Sequence, residues 1–256
     1  MDRRLVVWLA TLAGLAVLNV GLWLWMASVA SPHTPYAEAQ LLLSAVYVGV
    51  CGFRSLFPRV DLERVCLWDT WLSAIVLGRA AATIAELCFA LQCSLFVQRL
   101  SDMTGVPFLA TAAHAFVPLA VGAEIACWYA VVSLDHVGHA LEETLWALIM
   151  LVLAAASGAA GLASEGMRVW LLLGAAVIYT IGAGLTLAFD VTMYVGRRRA
   201  WATVKRLPLA AGLRDCGVRR KPTRAWEVWR EEVAWMTLYF SIGVWTSLAM
   251  VILEWA

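Results

Sequence analysis

Between Asp135 and Glu143 the chain reads Asp135-His136-Val137-Gly138-His139-Ala140-Leu141-Glu142-Glu143, so five residues in nine can carry a proton or a ligand bond. His136, His139 and Glu143 stand at i, i+3 and i+7 and share a helix face. Imidazole and carboxylate at such spacing can hold zinc or iron. There is no H-E-x-x-H, and no second E-x-x-H lies on another apolar run. No metal is therefore expected at His136, His139 and Glu143, and no other cofactor is predicted. The residues suit proton transfer better, because a carboxyl group held in low dielectric can serve as a general acid. Adjacent Glu142 and Glu143 diverge by about 100° on a helix, so one can face a cavity while the other reaches a neighbouring helix or a headgroup.

Further ionisable groups lie inside long apolar stretches: Arg54, Arg79, Glu86, Glu124 and Asp190. Charge in hydrocarbon is costly, so each such group implies a partner, a cavity or a function. Arg79, Thr83 and Glu86 fall at i, i+4 and i+7, which makes one stripe; Gly182, Thr186 and Asp190 at i, i+4 and i+8 make another. Pro118 must displace the carbonyl of His114 and kink its helix. Glu86, Glu124, Glu142 and Glu143 are the candidate catalytic carboxylates. Arg54, Arg79, Asp190 and His139 are the candidate substrate-binding or ion-pairing groups. In a purely structural arrangement, Arg54 and Arg79 would neutralise Glu86 and Glu124.

Seven apolar runs must position these groups: Leu5–Val29, Ala37–Phe57, Thr70–Gln98, Pro107–Val132, His139–Ala163, Val169–Val195 and Val233–Glu254. Each is long enough to cross a hydrocarbon core of about 30 Å as a helix. Helix is required, because lipid offers no water to a free backbone group. The chain is 62% hydrophobic and its mean hydropathy is +0.79, well above the balance of a soluble domain. The expected fold is an all-α integral membrane protein, a single domain over 1–256 formed by a bundle of seven transmembrane helices. Six cysteines without a C-x-x-C spacing read as reduced, mostly small apolar fillers. Ala154/Gly158 and Ser157/Gly161 are small-x-x-x-small pairs that let helices approach, within the bundle or in a homo-oligomer.

Seven crossings put the N-terminus and the second, fourth and sixth loops on one side. That side carries Arg3, Arg4, Arg59, Arg64 and eleven basic residues between Arg197 and Arg230. Positive charge stays in the cytoplasm, so the N-terminus is expected inside, the C-terminus outside, and the protein in a cell inner membrane. The loop 196–232 sets amphipathic segments, Trp201/Val204/Leu207 and Trp226/Trp229/Val233, about the basic run Arg219-Arg220-Lys221, and suits the anionic leaflet of a lipid membrane. A net charge of +1 points to no nucleic-acid partner. Trp8, Trp23, Trp25, Trp170 and Trp255 fall near membrane borders, as an aromatic belt would. With this topology, the buried charges fall between the mid-plane and the cytoplasm and imply a polar cavity that opens inward.

No lysine lies in any of the seven runs, and Lys205 and Lys221 both sit in the basic loop. A retinal Schiff base needs a membrane lysine, so no retinal is expected. The stretch Ala140-Leu141-Glu142-Glu143-Thr144-Leu145-Trp146 resembles the P-x-E-E-x-x-F segment of integral-membrane lycopene cyclases over seven residues. Ala140 stands for the proline and Trp146 for the phenylalanine. The resemblance implies acid-catalysed chemistry on a polyene. The residues read as those of a polytopic membrane enzyme acting on a lipid or isoprenoid by carboxylate acid–base chemistry. Two alternatives stand beside it: a proton- or ion-coupled transporter of small solutes, and a non-enzymatic seven-helix sensor or scaffold.

Overall fold

The computed structural model describes residues 1–29, 34–203 and 206–252. Seven helical spans are long and apolar enough to cross a membrane: Arg3–Val29, Pro35–Leu56, Ile75–Thr104, Pro107–Ser133, Val137–Leu162, Met167–Ala200 and Val233–Val251. The chain is thus a polytopic, all-α membrane protein. The last span, at 19 residues, still reaches about 28 Å at 1.5 Å per residue. The third begins later than the apolar pattern suggests. Trp71–Ser73 forms a separate 3₁₀ turn ahead of it, and Ala74 leaves the helical region with ψ at 133°.

The chain packs as two compact units. The first comprises the described residues of 1–92 and 213–252. It contains α1 (Arg3–Val29), α2 (Pro35–Leu56), the strands β1 (Arg59–Val60) and β2 (Val65–Cys66), and the greater part of α3 (Ile75–Thr104). Its core gathers Leu5, Trp8, Leu12, Tyr47, Cys51, Trp229, Phe240 and Leu248 among others. Here Trp8 departs from the aromatic belt. Trp8 is buried, donates its Nε1–H to Thr237 Oγ1 at 3.2 Å and lies 5.8 Å from Trp229. Trp23 donates to the Leu41 carbonyl. A buried indole needs a partner for its single N–H, and Trp8 finds one, as does the half-buried Trp23. Trp25, by contrast, is well exposed on the bundle surface, and Trp255 lies outside the described residues.

Gln92 reaches Gln40 Oε1 at 3.0 Å and the Ser247 carbonyl at 3.3 Å, while Ser247 Oγ donates to Gln92 Oε1 at 2.6 Å. These bonds tie α2, α3 and the last span together, since helices in lipid cohere through packing and polar contacts rather than through hydrophobic burial. The last span runs as α11 (Val233–Leu238), a π-helical turn Tyr239–Gly243 and α12 (Val244–Ile252). Asn19 Nδ2 donates to the Phe240 carbonyl in that turn at 2.7 Å, and Trp245 donates to Asn19 Oδ1.

Sequence reading gave no hint of a sheet. β1 pairs antiparallel with β2, and β2 pairs parallel with β3 (Lys221–Pro222). The second and sixth loops are therefore joined. Arg64 turns the hairpin with φ at 59°, a left-handed conformation that costs about 1–2 kcal/mol for a residue with a Cβ. It is held by its guanidinium, fully buried, against Asp215 Oδ2 at 2.8 Å and the Asp61 carbonyl at 2.6 Å. Burial pushes the Cys66 and Cys216 thiols above their ordinary range, and all six cysteines are free.

The second unit, Cys93–Gly212, holds the end of α3, then α4 (Pro107–Ala113), α5 (Phe116–Ser133) and α6 (Val137–Leu162). The sixth span follows as α7 (Met167–Leu185), a π-helical turn Thr186–Val191 and α8 (Thr192–Ala200). The fourth span breaks between Ala113 and Phe116, where Pro118 was expected to act, and Ser94 Oγ takes up the Ala113 carbonyl at 2.8 Å. α5 and α6 meet very closely: a Cβ on Gly138 would overlap the backbone of Ala126 and Ala130. Gly161 packs on Leu172 and Leu173 of α7, so one small-x-x-x-small pair is used within the bundle. After α8 the chain returns to this end of the unit, where Leu207 N–H donates to the Ser133 carbonyl at 3.0 Å. The remaining helices, α9 (Leu209–Val218) and α10 (Trp226–Trp229), lie in the long basic loop.

Candidate functional site

Among the described residues, buried ionisable groups cluster in each unit. In the first unit Arg79 and Glu86, two turns apart on α3, meet at 3.1 Å. Tyr239 sits in the π turn of the last span and donates its hydroxyl to Glu86 Oε1 at 3.0 Å. Arg54 of α2 lies over the rings of Trp235, Tyr239 and Phe240, at 5.9, 5.6 and 6.0 Å from their centroids. Arginine can be desolvated against aromatic faces at low cost, because its charge is spread over a plane. The stripe of Arg79 and Glu86 is thus realised as expected. Tyr239 was not foreseen, and no periodicity could reveal it, since its approach depends on a π turn in another helix.

The second cluster arises where α5 and α6 are pressed together at Gly138. Leu134, in a left-handed conformation at φ 61°, closes the connection between them. Glu124 and Cys127 stand one turn apart on α5; His139 and Glu142 stand one turn apart on α6. His139 Nδ1 lies 2.6 Å from Glu142 Oε2 and 3.8 Å from Cys127 Sγ. Donor atoms of Cys127, His139 and Glu142 all fall within 4.8 Å of one another, and carboxylate oxygens of Glu124 and Glu142 are also within 4.8 Å. Glu124 is 3% exposed, Cys127 0% and Glu142 6%.

Below this cluster, at the start of α6, lies a pocket of about 320 Å³ lined by Leu134, Asp135, His136, Arg198, Trp201, Ala202 and Arg206. Asp135 binds Arg198 at 3.1 Å and Arg206 at 2.9 Å, and both guanidinium groups remain about half exposed. The His136 ring stands edge-on to Trp201 at 4.8 Å and stacks with Tyr194 at 6.0 Å. Neither of its ring nitrogens has a hydrogen-bond partner among the described residues. Burial, helped by His139 and Arg197 and opposed by Asp135, pulls its pKa down to about 4. Tyr194 also packs on His139 at 5.0 Å, so one phenol ring touches both histidines.

Several expected groupings are rearranged. His136, His139 and Glu143 do not form one set: His136 caps α6 and turns to Trp201, while Glu142 rather than Glu143 meets His139. Glu143 is half-buried. Asp135 pairs with Arg198 and Arg206. Asp190 lies half-buried within the π turn of the sixth span. Cys127, read as a filler, is a member of the cluster. Its i, i+3 spacing from Glu124 was visible in the sequence, but its facing of α6 was not. No family model, curated protein or solved structure matches the chain.

Proposed function

We propose that the chain is a membrane enzyme acting on a lipid or isoprenoid with an anionic headgroup, by proton transfer at Glu142 and His139 in a cavity that faces the cytoplasm. One observation carries the reading: the arginine-rimmed pocket and the His139–Glu142 pair lie a single turn apart on α6, about 4.5 Å along its axis, and share the Tyr194 ring. The pocket volume falls in the range of small-molecule sites.

Asp135 holds Arg198 and Arg206 by one edge each. A guanidinium has five N–H donors in a fixed fork, so both retain donors for a phosphate-like group. The apolar part of such a substrate would stay in the bilayer beside α6. An Nδ1–H donated by His139 to Glu142 leaves Nε2 as the basic nitrogen, and the carboxylate fixes that tautomer. Glu124 lies close enough to Glu142 to share in moving a proton. Arg79, Glu86 and Tyr239 of the other cluster hold helices in register, with Arg54 alongside. The loop 196–232, through Arg197, Arg198 and Arg199 at the end of α8, draws the anionic leaflet toward the pocket.

The test is conversion of a lipid. Purified protein in nanodiscs is incubated with a total membrane-lipid extract and followed by mass spectrometry. The wild type should consume one species and form another. Glu142→Gln should fold and fail to do so, and the double variant Arg198→Gln/Arg206→Gln should raise KM more than it lowers kcat. Identical lipid profiles for wild type and Glu142→Gln would end this reading. The transporter alternative draws on the π turns that interrupt the sixth and seventh spans, since π turns recur at functional sites. Substrate-dependent flux in proteoliposomes, without lipid conversion, would decide for it.

A further inference from the structure

Glu124-x-x-Cys127 on α5 and His139-x-x-Glu142 on α6 place a carboxylate, a thiol, an imidazole and a second carboxylate on two facing helices. An i, i+3 pair of ligands from each of two helices is a way helical bundles build metal centres. We propose that these four residues bind a divalent transition-metal ion of the zinc class. The inference rests on the reading above that this cluster is the functional centre, and it adds the ion that the centre would use.

Three features of the geometry support it. Zinc bonds of about 2.0 Å to nitrogen and oxygen and about 2.3 Å to sulfur put neighbouring ligand atoms of a tetrahedron roughly 3.3–3.5 Å apart. The 3.8 Å between Cys127 Sγ and His139 Nδ1 is close to that edge, Glu142 lies within 4.8 Å of both, and a Glu124 oxygen lies within 4.8 Å of Glu142. The 2.6 Å contact between His139 and Glu142 is shorter than a tetrahedral edge; it opens by a small side-chain rotation when the ion replaces the shared proton. The donor set also discriminates. One sulfur, one nitrogen and two oxygens suit borderline zinc, while calcium and magnesium take oxygen alone. Finally, the ligands sit on rigid helices locked by the Gly138 contact rather than on a loop. His136 and Glu143 are not part of the set.

Binding would release the Cys127 and His139 Nδ1 protons and leave the ion bonded to Sγ, Nδ1 and one oxygen from each glutamate. A substrate oxygen or water would have to displace one carboxylate to reach it, and Glu142, nearest the pocket end of α6, is placed to leave and take a proton.

Metal content and cobalt spectroscopy test the site without a substrate. Protein expressed in zinc-supplemented medium should carry one zinc per chain by mass spectrometry of the metal. Cobalt added to metal-stripped protein should give the intense visible bands of a four-coordinate ion and a thiolate-to-cobalt band in the near ultraviolet. Cys127→Ser should abolish the thiolate band, and His139→Ala should weaken affinity by roughly 100-fold, while His136→Asn leaves both features in place. Removing zinc from the wild type should lower its melting temperature, a readout that holds even if a variant fails to fold. Wild type that binds neither ion, or a cobalt spectrum unchanged in Cys127→Ser, overturns the site. Lipid conversion by metal-free protein also overturns it and keeps the enzyme reading; stoichiometric zinc without any lipid conversion keeps the site and overturns that reading.

Discussion

The two buried clusters meet the cost of polar groups in lipid in different ways. In the first unit a carboxylate is answered by cations and a phenol: Arg79 and Tyr239 engage Glu86, and Arg54 rests on three aromatic rings. In the second unit the groups gathered are acceptors and ligands: Glu124, Cys127, His139 and Glu142. The first is a set of complementary charges, the arrangement that fixes helices. The second brings two carboxylates, a thiol and an imidazole together, an arrangement suited to a shared proton or an ion. Equal burial therefore does not imply equal purpose; the chemical types that face one another distinguish a brace from a centre.

The sharpest way to break this contrast is to strand a charge in the first cluster. Arg79→Met leaves Glu86 without its cation and should cost about 3–5 kcal/mol, read as a large drop in melting temperature. Adding Glu86→Gln should recover part of that loss. In Glu142→Gln the opposite pattern is expected, with a nearly normal melt and no lipid conversion. If Arg79→Met melts normally while Glu142→Gln collapses the fold, brace and centre have been assigned the wrong way round.

Gly138→Ala is next in size. Its new methyl would meet the backbone of Ala126 and Ala130, which cannot rotate away, so α5 and α6 must part. The overpacking should cost about 1–3 kcal/mol, together with the alignment of Glu124 and Cys127 with His139 and Glu142. Gly122→Ala, whose methyl would meet only the Leu145 side chain at 3.5 Å, is the control expected to melt like the parent. Equal melts for the two variants would contradict the close approach at Gly138. Tyr239→Phe removes a single hydrogen bond to Glu86 and should cost about 1.5–3 kcal/mol if that carboxylate is charged. Lipid conversion should persist in this variant once it is folded.

The smallest effect concerns pH. His136 has a folded pKa of about 4 against an ordinary value of 6.5. Between those values the unfolded chain takes up a proton that the folded chain refuses. Stability therefore rises with pH across this window and is lost as pH falls from 6.5 toward 4. Melting curves through that range should be flatter for His136→Asn than for the wild type. Equal slopes would show that His136 is not desolvated.

Length and apolarity alone determined the seven spans, because a bilayer permits few other solutions. Alternate crossing likewise required the second and sixth loops to share a side, where β2 and β3 pair. Residue types and intervals also announced Arg79 with Glu86, since both lie on one continuous helix and 3.6 residues per turn brings them into line. That argument stops at the edge of each helix. Which of Glu142 and Glu143 meets His139, and whether Cys127 fills space or joins a cluster, depends on how α5 and α6 are rotated about their axes. Gly138 decides that through close approach. Adjacent residues differ by about 100° around a helix, so a rotation of that size exchanges one carboxylate for the other. The π turn at Tyr239–Gly243 adds a register shift that regular periodicity cannot anticipate, and Tyr239 within it donates to Glu86. Asp135 was captured by Arg198 and Arg206, more than sixty positions away, because the chain after α8 folds back on the start of α6. Sequence spacing carries the order within an element, whereas contacts between elements are selected by packing, and both clusters depend on such contacts.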